Sequence, residues 1–365
     1  MRKRITIADV AREAGVSTAT VSYVLNKTPN QPISEETVQR VLAAAKKLDY
    51  HRNDAARALK SNKTNRIGIS VQFSINKRCY AMTLQGALEA LNENGKYACL
   101  DLGTHDAQNI PDCINFYLSG NVDGIILMGE GYDTLDSRIE DKIVSMNIPC
   151  VVHNMDAGRK ISSVNADFFS GAYAMTQRLI QQGAKRIVYY RTAHTTRIDR
   201  ERQQAINRAA YEAGIPSEIL VAKHQSVQEV GADFPNTRAW QEGCQDMSDA
   251  IDSLRPDDGM LIGWCEHLDY VLSLKREYSQ MPQIGVLSHV TDTLQSTPRV
   301  LYDYISAGEI GRECVRLLLE QMNGNRAPVQ LQLHSRIFCE KFREHREFRG
   351  QTIDRPRNLW YCSVT

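Results

Sequence analysis

The sequence predicts a small head of three short helices followed by a large α/β body of two doubly wound halves. Three observations carry that prediction. The first fifty residues place apolar side chains at helical spacing around a glycine turn, and from Arg66 onward short apolar runs alternate with amphipathic stretches. The charge also divides between the two regions. Residues 1–66 hold 13 Lys/Arg against 6 Asp/Glu, a balance of +7; the remaining 299 hold 31 against 37, a balance of −6. A basic head on a mildly acidic body points to a polyanion touched by the head alone, although a solvated basic face carries the same charge.

Composition narrows the function classes. A chain of 365 residues exceeds the size of one growing core, so two or more domains are expected. Apolar and charged fractions of 42% and 24% exclude a largely disordered chain. No stretch approaches the roughly 18 apolar residues of a membrane span, and Met1-Arg2-Lys3-Arg4 has no apolar run behind it. A cytoplasmic protein with no membrane partner is expected. The nine cysteines are odd in number and contain no Cys-x-x-Cys, so buried thiols are expected rather than disulfides or a metal site. No Gly-rich lysine loop, His-Glu-x-x-His or Gly-x-Ser-x-Gly occurs, so no cofactor and no enzyme are expected. Two alternatives stay open: a kinase or hydrolase with an appended head, and an architectural DNA binder whose body only dimerises. Turnover would reveal the first, and a missing ligand-dependent thermal shift the second.

In the head, Thr6 precedes Ile7, Val10, Ala11 and Ala14, one apolar stripe at i, i+3, i+4 and i+7. Thr6 and Asp9 can close its start as a capping box, and Gly15 can take the left-handed stop. Ser17 caps a second helix that turns Val21, Val24 and Leu25 inward, leaving Thr18, Ala19, Ser22, Tyr23 and Asn26 outward. A third starts at Ser34, places Glu35 and Glu36 in its first turn, and is expected to bury Val38, Val41, Leu42, Ala45 and Leu48. Two short helices around a tight glycine turn form the arrangement that lays the second helix in the major groove. An ordinary three-helix bundle with polar outer positions fits the helices alone equally well.

The run Ile7-Ala8-Asp9-Val10-Ala11, then Gly15 through Asn26 as Gly-Val-Ser-Thr-Ala-Thr-Val-Ser-Tyr-Val-Leu-Asn, decides between them. It resembles the head of the lac repressor (LacI/GalR) family, whose signature is a turn followed by V-S-x-x-T-V-S-x-x-L-N. The resemblance continues through Ser34-Glu35-Glu36-Thr37 and Leu48-Asp49-Tyr50. It implies a helix-turn-helix DNA-binding domain over 1–49, contacting DNA through Ile7, Ala8, Ser17, Thr18, Ala19, Ser22, Tyr23, Asn26, Ser34, Thr37 and Tyr50. Arginine is common in the family where Tyr23 stands, so a different half-site is expected.

Residues 50–64 form a polar, basic connector with too little apolar surface to hold a lone helix. The family pattern N-x-x-A-R-x-L falls on Asn53, Ala56, Arg57 and Leu59. It implies two hinge helices paired in the minor groove, with Leu59 wedged into a base step. The family's usual proline before the asparagine is Arg52 here.

From residue 65 to 365 the βαβ rhythm predicts a parallel sheet in each half, with ligand in the shared crevice at the strands' carboxyl ends. The resemblance extends to this body through Asn121 to Leu127, Val164 to Asp167, Gly183 to Ile187 and Glu201-Arg202. It implies a periplasmic-binding-protein-like fold crossed three times by the chain, the third time near 290–300. The first half is expected at about 66–163 plus 292–324, the second at about 164–291 plus 325–340, with a tail over 341–365. The family's effector arginine falls on Arg202, and the pocket is expected to include Asn76, Tyr80, Arg191 and Glu266. Carboxylates usual in the family are missing from Phe73–Tyr80 and from Ser288-His289-Val290. Arg191, His194 and Arg197, read as one strand end and its loop, add positive charge, so an anionic or phosphorylated sugar-type effector is expected. Solvated loop arginines are the plain alternative. A homodimer on a pseudo-palindromic double-stranded DNA operator completes the expectation, without the tetramer-forming leucine heptads of some relatives.

Overall fold

The structure, a computed structural model, describes residues 5–26, 28–51, 63–72, 78–103, 105–106, 110–129, 134–155, 158, 160–193, 195–224, 238–263, 268, 281–287 and 300–338. The chain divides into two units, Met1–Thr64 and Asn65–Thr365.

In the first unit, α1 (Ile7–Ala14), α2 (Thr18–Asn26) and α3 (Glu35–Lys47) close around Val10, Ala14, Val21, Val24, Val41 and Ala44. Each helix start is written locally. Thr6 and Asp9 form the reciprocal capping box, Ser17 Oγ accepts from Thr20 N at 3.0 Å, and Ser34 Oγ accepts from Thr37 N at 3.3 Å. Gly15 ends α1 at φ 66°, a conformation costly for side chains with a Cβ. The expectation fails at Leu42, which is 45% exposed. Val38, Val41 and Ala45 already fill the inward stripe of α3, and Leu42 lies about 100° round the helix from Val41.

The second unit contains two six-stranded sheets. The first has strand order β11-β5-β4-β3-β1-β2, all parallel: β1 Arg66–Val71, β2 Tyr97–Asp101, β3 Gly124–Met128, β4 Cys150–His153, β5 Ser162–Ala166 and β11 Gln330–Leu333. One face carries α4 (Arg78–Glu93) and α10 (Ala307–Met322), the other α5 (Asp112–Leu118) and α6 (Ser137–Ser145). Central strands such as Gly124–Met128 are buried throughout, and each fully buried Ile or Leu contributes roughly 1.5–3 kcal/mol. Helices α4 and α10 cross backbone to backbone: a Cβ on Gly311 would stand 2.0 Å from the Thr83 carbonyl, and one on Gly86 2.0 Å from that of Gly308.

The second sheet has order β12-β10-β9-β8-β6-β7, parallel except for β12. Its strands are β6 Arg186–Arg191, β7 Ser217–Val221, β8 Asp258–Ile262, β9 Gln283–Val286, β10 Val300–Tyr304 and β12 Arg336–Phe338. Helices α7 (Phe168–Gln181) and α8 (Arg197–Glu212) cover one face, and α9 (Arg238–Asp252) packs on the other.

The strand partners correct the expected halves. Ser162–Ala166 and Gln330–Leu333 belong to the first sheet, and Val300–Tyr304 to the second. The three crossings therefore lie at Asp167, at Ile305-Ser306 and at His334-Ser335, not near 290–300. A short apolar strand reads alike in either sheet, so only its hydrogen-bond partners assign it. Arg197 is likewise not in a loop: it is the first residue of α8.

Candidate nucleic-acid interface and effector cleft

On α2 the apolar period turns Val21 and Val24 into the core and leaves Thr18, Ala19 and Tyr23 exposed as a continuous face of small or hydrogen-bonding groups. Asn26 is exposed and donates from Nδ2 to Ser22 Oγ at 3.1 Å, so these two are tied to each other, with Ser22 half-buried. Ala8 is exposed on α1, while Ile7 and Tyr50 are half-buried against the head core. Ser17, Ser34 and Thr37 take part in helix capping: Ser17 Oγ also meets Thr20 Oγ1 at 2.9 Å, and Ser34 Oγ meets Thr37 Oγ1 at 3.0 Å. The face available for base edges thus narrows to Thr18, Ala19 and Tyr23, with Ala8 and the two caps beside it. Asn53, Ala56 and Leu59 lie outside the described residues.

In the body, strand ends and helix starts enclose a cavity of about 20 Å³, walled by Tyr80, Thr83, His153, Asn154, Phe168 and Arg202 among others. That is room for about one water. Arg202 sits in the second turn of α8, 2% exposed, and donates from Nη1 to the Gly263 carbonyl at 2.9 Å. Its guanidinium lies 5.2 Å from the Phe168 ring centroid, within cation–π range. A buried cation is costly unless paired and hydrogen-bonded, so this arginine is held by design of its surroundings. Helix α8 begins at a buried capping box of Thr196 and Asp199, and Tyr189 donates to Asp199 at 2.9 Å beneath it. That box fixes the register that aims Arg202 into the cavity.

His153, the last residue of β4, shares a ring-nitrogen hydrogen bond with the Val164 carbonyl, Nδ1 to O 2.8 Å. A carbonyl only accepts, so Nδ1 carries the proton and Nε2 keeps its lone pair. Burial above all, with the Arg197 charge adding, holds this imidazole down at about 4 despite the Val164 bond; it is neutral at pH 7. Asn154 follows in the left-handed region, φ 55°, with its Nδ2 donating to the Gly129 carbonyl at 3.2 Å. No Asp or Glu stands among the described lining residues.

The cavity therefore brings together two of the expected residues, Arg202 and Tyr80. Arg191 does not line it: its Nη1 folds back on the carbonyls of Thr192, 2.9 Å, and Ala193, 3.4 Å. Arg197 pairs with Glu201 one turn on. Asn76, His194 and Glu266 lie outside the described residues. The sequence reading missed His153, Asn154 and Phe168. The rule that ligands gather at carboxyl ends of strands, applied to the run Cys150-Val151-Val152-His153, would have found the first two.

Comparison with known proteins gives a consistent picture. The family model of bacterial regulatory proteins, lacI family, matches residues 6–53, and that of the periplasmic binding protein-like domain matches 176–337. Catabolite control protein A of Staphylococcus xylosus is 39% identical over 189 residues, which is 51% of this chain and 55% of that protein. Its counterpart in Staphylococcus epidermidis (strain ATCC 12228 / FDA PCI 1200) is 38% identical over 183 residues, 50% and 54% of the two chains. The chain spans about half the length of the curated relatives it matches. Among solved structures, the lac repressor dimer bound to operator and the anti-inducer ONPF aligns with a TM-score of 0.71 at 17% identity, over 92% of this chain and 98% of that one. The transcriptional regulator CelR–cellobiose complex aligns at 0.54 and 22%, over 92% and 98%. At such identities the likeness to solved structures concerns the fold.

Proposed function

We propose that the chain is a member of the LacI/GalR family of bacterial regulators, a sequence-specific DNA-binding transcription repressor acting as a homodimer under control of a small-molecule effector. The observation that carries the proposal is the exposed α2 face of Thr18, Ala19 and Tyr23 on a capped three-helix unit, in a chain that also carries a cavity around a buried arginine. Thr18 and Tyr23 offer hydrogen bonds to base edges, and Ala19 apolar contact to a thymine methyl. Ala8, Ser17, Ser34 and Thr37 supply phosphate contacts that set the docking angle. Asn53, Ala56 and Leu59 form the hinge segment, with Leu59 as the minor-groove wedge.

Self-association is supported by an edge of the first sheet. Among the described residues strand β2 has a neighbour on one side only, and Tyr97 and Leu100 within it and Leu102 just after it are exposed. An apolar, unpaired edge is a pairing surface, and a two-fold dimer implies a two-fold operator. The lac repressor structure is itself a dimer bound to operator.

For the effector we propose an anion bearing hydroxyl groups. Arg202 supplies the charged donor fork, Tyr80 its hydroxyl, and His153 Nε2 an acceptor for a hydroxyl proton. At 20 Å³ the cavity admits such a ligand only when the halves part, so binding is coupled to their relative motion. A thermal-shift screen of uncharged sugars, sugar acids and sugar phosphates tests the sensor reading. A hit should raise the apparent stability and change operator affinity; hits confined to uncharged sugars would refute the anionic class, and none at all the sensor.

A further inference from the structure

The three crossings between the halves meet around two buried carboxyls, Asp167 and Asp303, with His334 exposed beside them. Asp167 caps α7 through Ser170 N at 2.9 Å, and His334 of the third crossing pairs with its other oxygen at 2.9 Å. Asp303, the fourth residue of β10, lies just before the second crossing and is 5% exposed. A Cβ on Gly171 would lie 2.5 Å from Asp303 Oδ2 and 2.6 Å from Ser335 Oγ, so the first turn of α7 is pressed directly onto this carboxyl. Asp303 Oδ1 has no hydrogen-bond partner among the described residues. One turn earlier on the same helix, Phe168 carries Arg202 above its ring. Residues three apart share a helix face, so the guanidinium and the carboxyl are neighbours across one turn of α7.

We propose that Asp303 is the internal counter-charge of Arg202, and that an external anion held by Arg202 takes its place, so that anion binding is accompanied by uptake of one proton at Asp303. The inference rests on the reading of Arg202 as the effector arginine. Burial pushes the Asp303 carboxyl up to about 6, Ser335 and Arg202 pull it down, and Asp167 pushes it up. The remaining titratable neighbours are His334 on Asp167, Arg336 opposite Tyr304, and Tyr302 and Tyr304 on the same strand. When an anion occupies the guanidinium, Asp303 loses the cationic support of Arg202 and gains a like charge nearby. A carboxyl already short of one hydrogen-bond partner then takes up a proton instead. The same exchange gives the site an anion preference, because an uncharged ligand leaves the internal pair intact.

The test is calorimetric titration of the full chain with sulfate, which stays a dianion throughout, at constant ionic strength between about pH 5.5 and 8. Affinity should fall by close to tenfold per pH unit above about pH 6.5, and two buffers of different ionisation heat should report about one proton taken up. Asp303→Asn should bind with no pH slope and more tightly than wild type at the alkaline end. His334→Gln should keep the slope, and Arg202→Ala should lose binding. Should Asp303→Asn fail to fold, Ser335→Ala replaces it: removing the donor should move the onset of the slope to higher pH. Arg202-dependent binding with no slope, or a slope surviving in Asp303→Asn, overturns the proton exchange and leaves the effector reading standing. Sulfate binding that ignores Arg202, or no binding, overturns the effector reading and this inference with it.

Discussion

In the head, the residues proposed to read DNA are Thr18, Ala19 and Tyr23, on the exposed face of one helix whose start is set within a few residues by Gly15 and Ser17. In the body, the cavity draws Tyr80 from α4, His153 from the end of β4, Phe168 from the start of α7 and Arg202 from α8. The first site is local and exposed; the second is assembled from distant segments and buried. A local site tolerates substitution because its side chains support little else. An assembled site cannot, since each group is also a packing element and a partner for its neighbours. Perturbations should therefore cost stability in the body and specificity in the head.

The largest expected effect is at the α4–α10 crossing. Gly311→Val places atoms against the Thr83 carbonyl, where a Cβ alone would stand at 2.0 Å. Two helix backbones must separate, so a loss of about 3–5 kcal/mol is expected, read as a collapse of the body's thermal transition. A body that melts unchanged would mean the crossing is not load-sharing.

Asp303→Asn comes next and has a defined pH signature. The carboxyl sits at about 6 in the folded chain against an ordinary 3.8, so folding favours its protonated form. The penalty of ionising it in place is complete above about pH 6 and is relieved as pH falls towards 4. At about pH 7.5 the asparagine variant should gain roughly 1–3 kcal/mol over wild type, and the advantage should vanish near pH 4. An advantage equal at both ends would show that packing, not charge, is responsible.

A smaller effect is expected in the head. Thr6→Ala removes one side of the capping box and should cost about 1 kcal/mol of head stability, with the body's transition unmoved. Denaturant unfolding followed separately in the two units checks this, and a shift of the body's transition would break the contrast.

The same contrast explains what the sequence disclosed. The head was legible almost to the residue, because Thr6-Asp9, Gly15, Ser17 and Ser34 act within one helical turn of where they stand. Leu42 escaped because a third apolar position beside a filled stripe has no local mark of its exposure. The βαβ rhythm disclosed the body's two halves, but not which sheet takes Ser162–Ala166, Val300–Tyr304 and Gln330–Leu333. A four- or five-residue apolar run reads alike in either sheet, and for Ser162–Ala166 and Gln330–Leu333 the partners also stand more than a hundred residues apart. Arg202 is singled out by a motif and His153 could be by its place at the carboxyl end of an apolar run, whereas Phe168 becomes visible only once α7 starts at the same crevice. Arg191 illustrates the reverse: its charge suggested a ligand contact, but its own loop carbonyls hold it.

The most direct test of the central claim is selection of bound duplexes from a random pool by the full chain and by Tyr23→Arg, at one fixed salt concentration. The substitution lies on an exposed face, so stability should change by less than about 0.5 kcal/mol. Wild type should enrich a two-fold symmetric motif, and the variant should change the preferred base at one position of each half-site, by roughly 1–3 kcal/mol of discrimination. A wild-type pool without a symmetric motif, or a motif that the arginine leaves unchanged, would contradict the assignment of α2 as the reading helix.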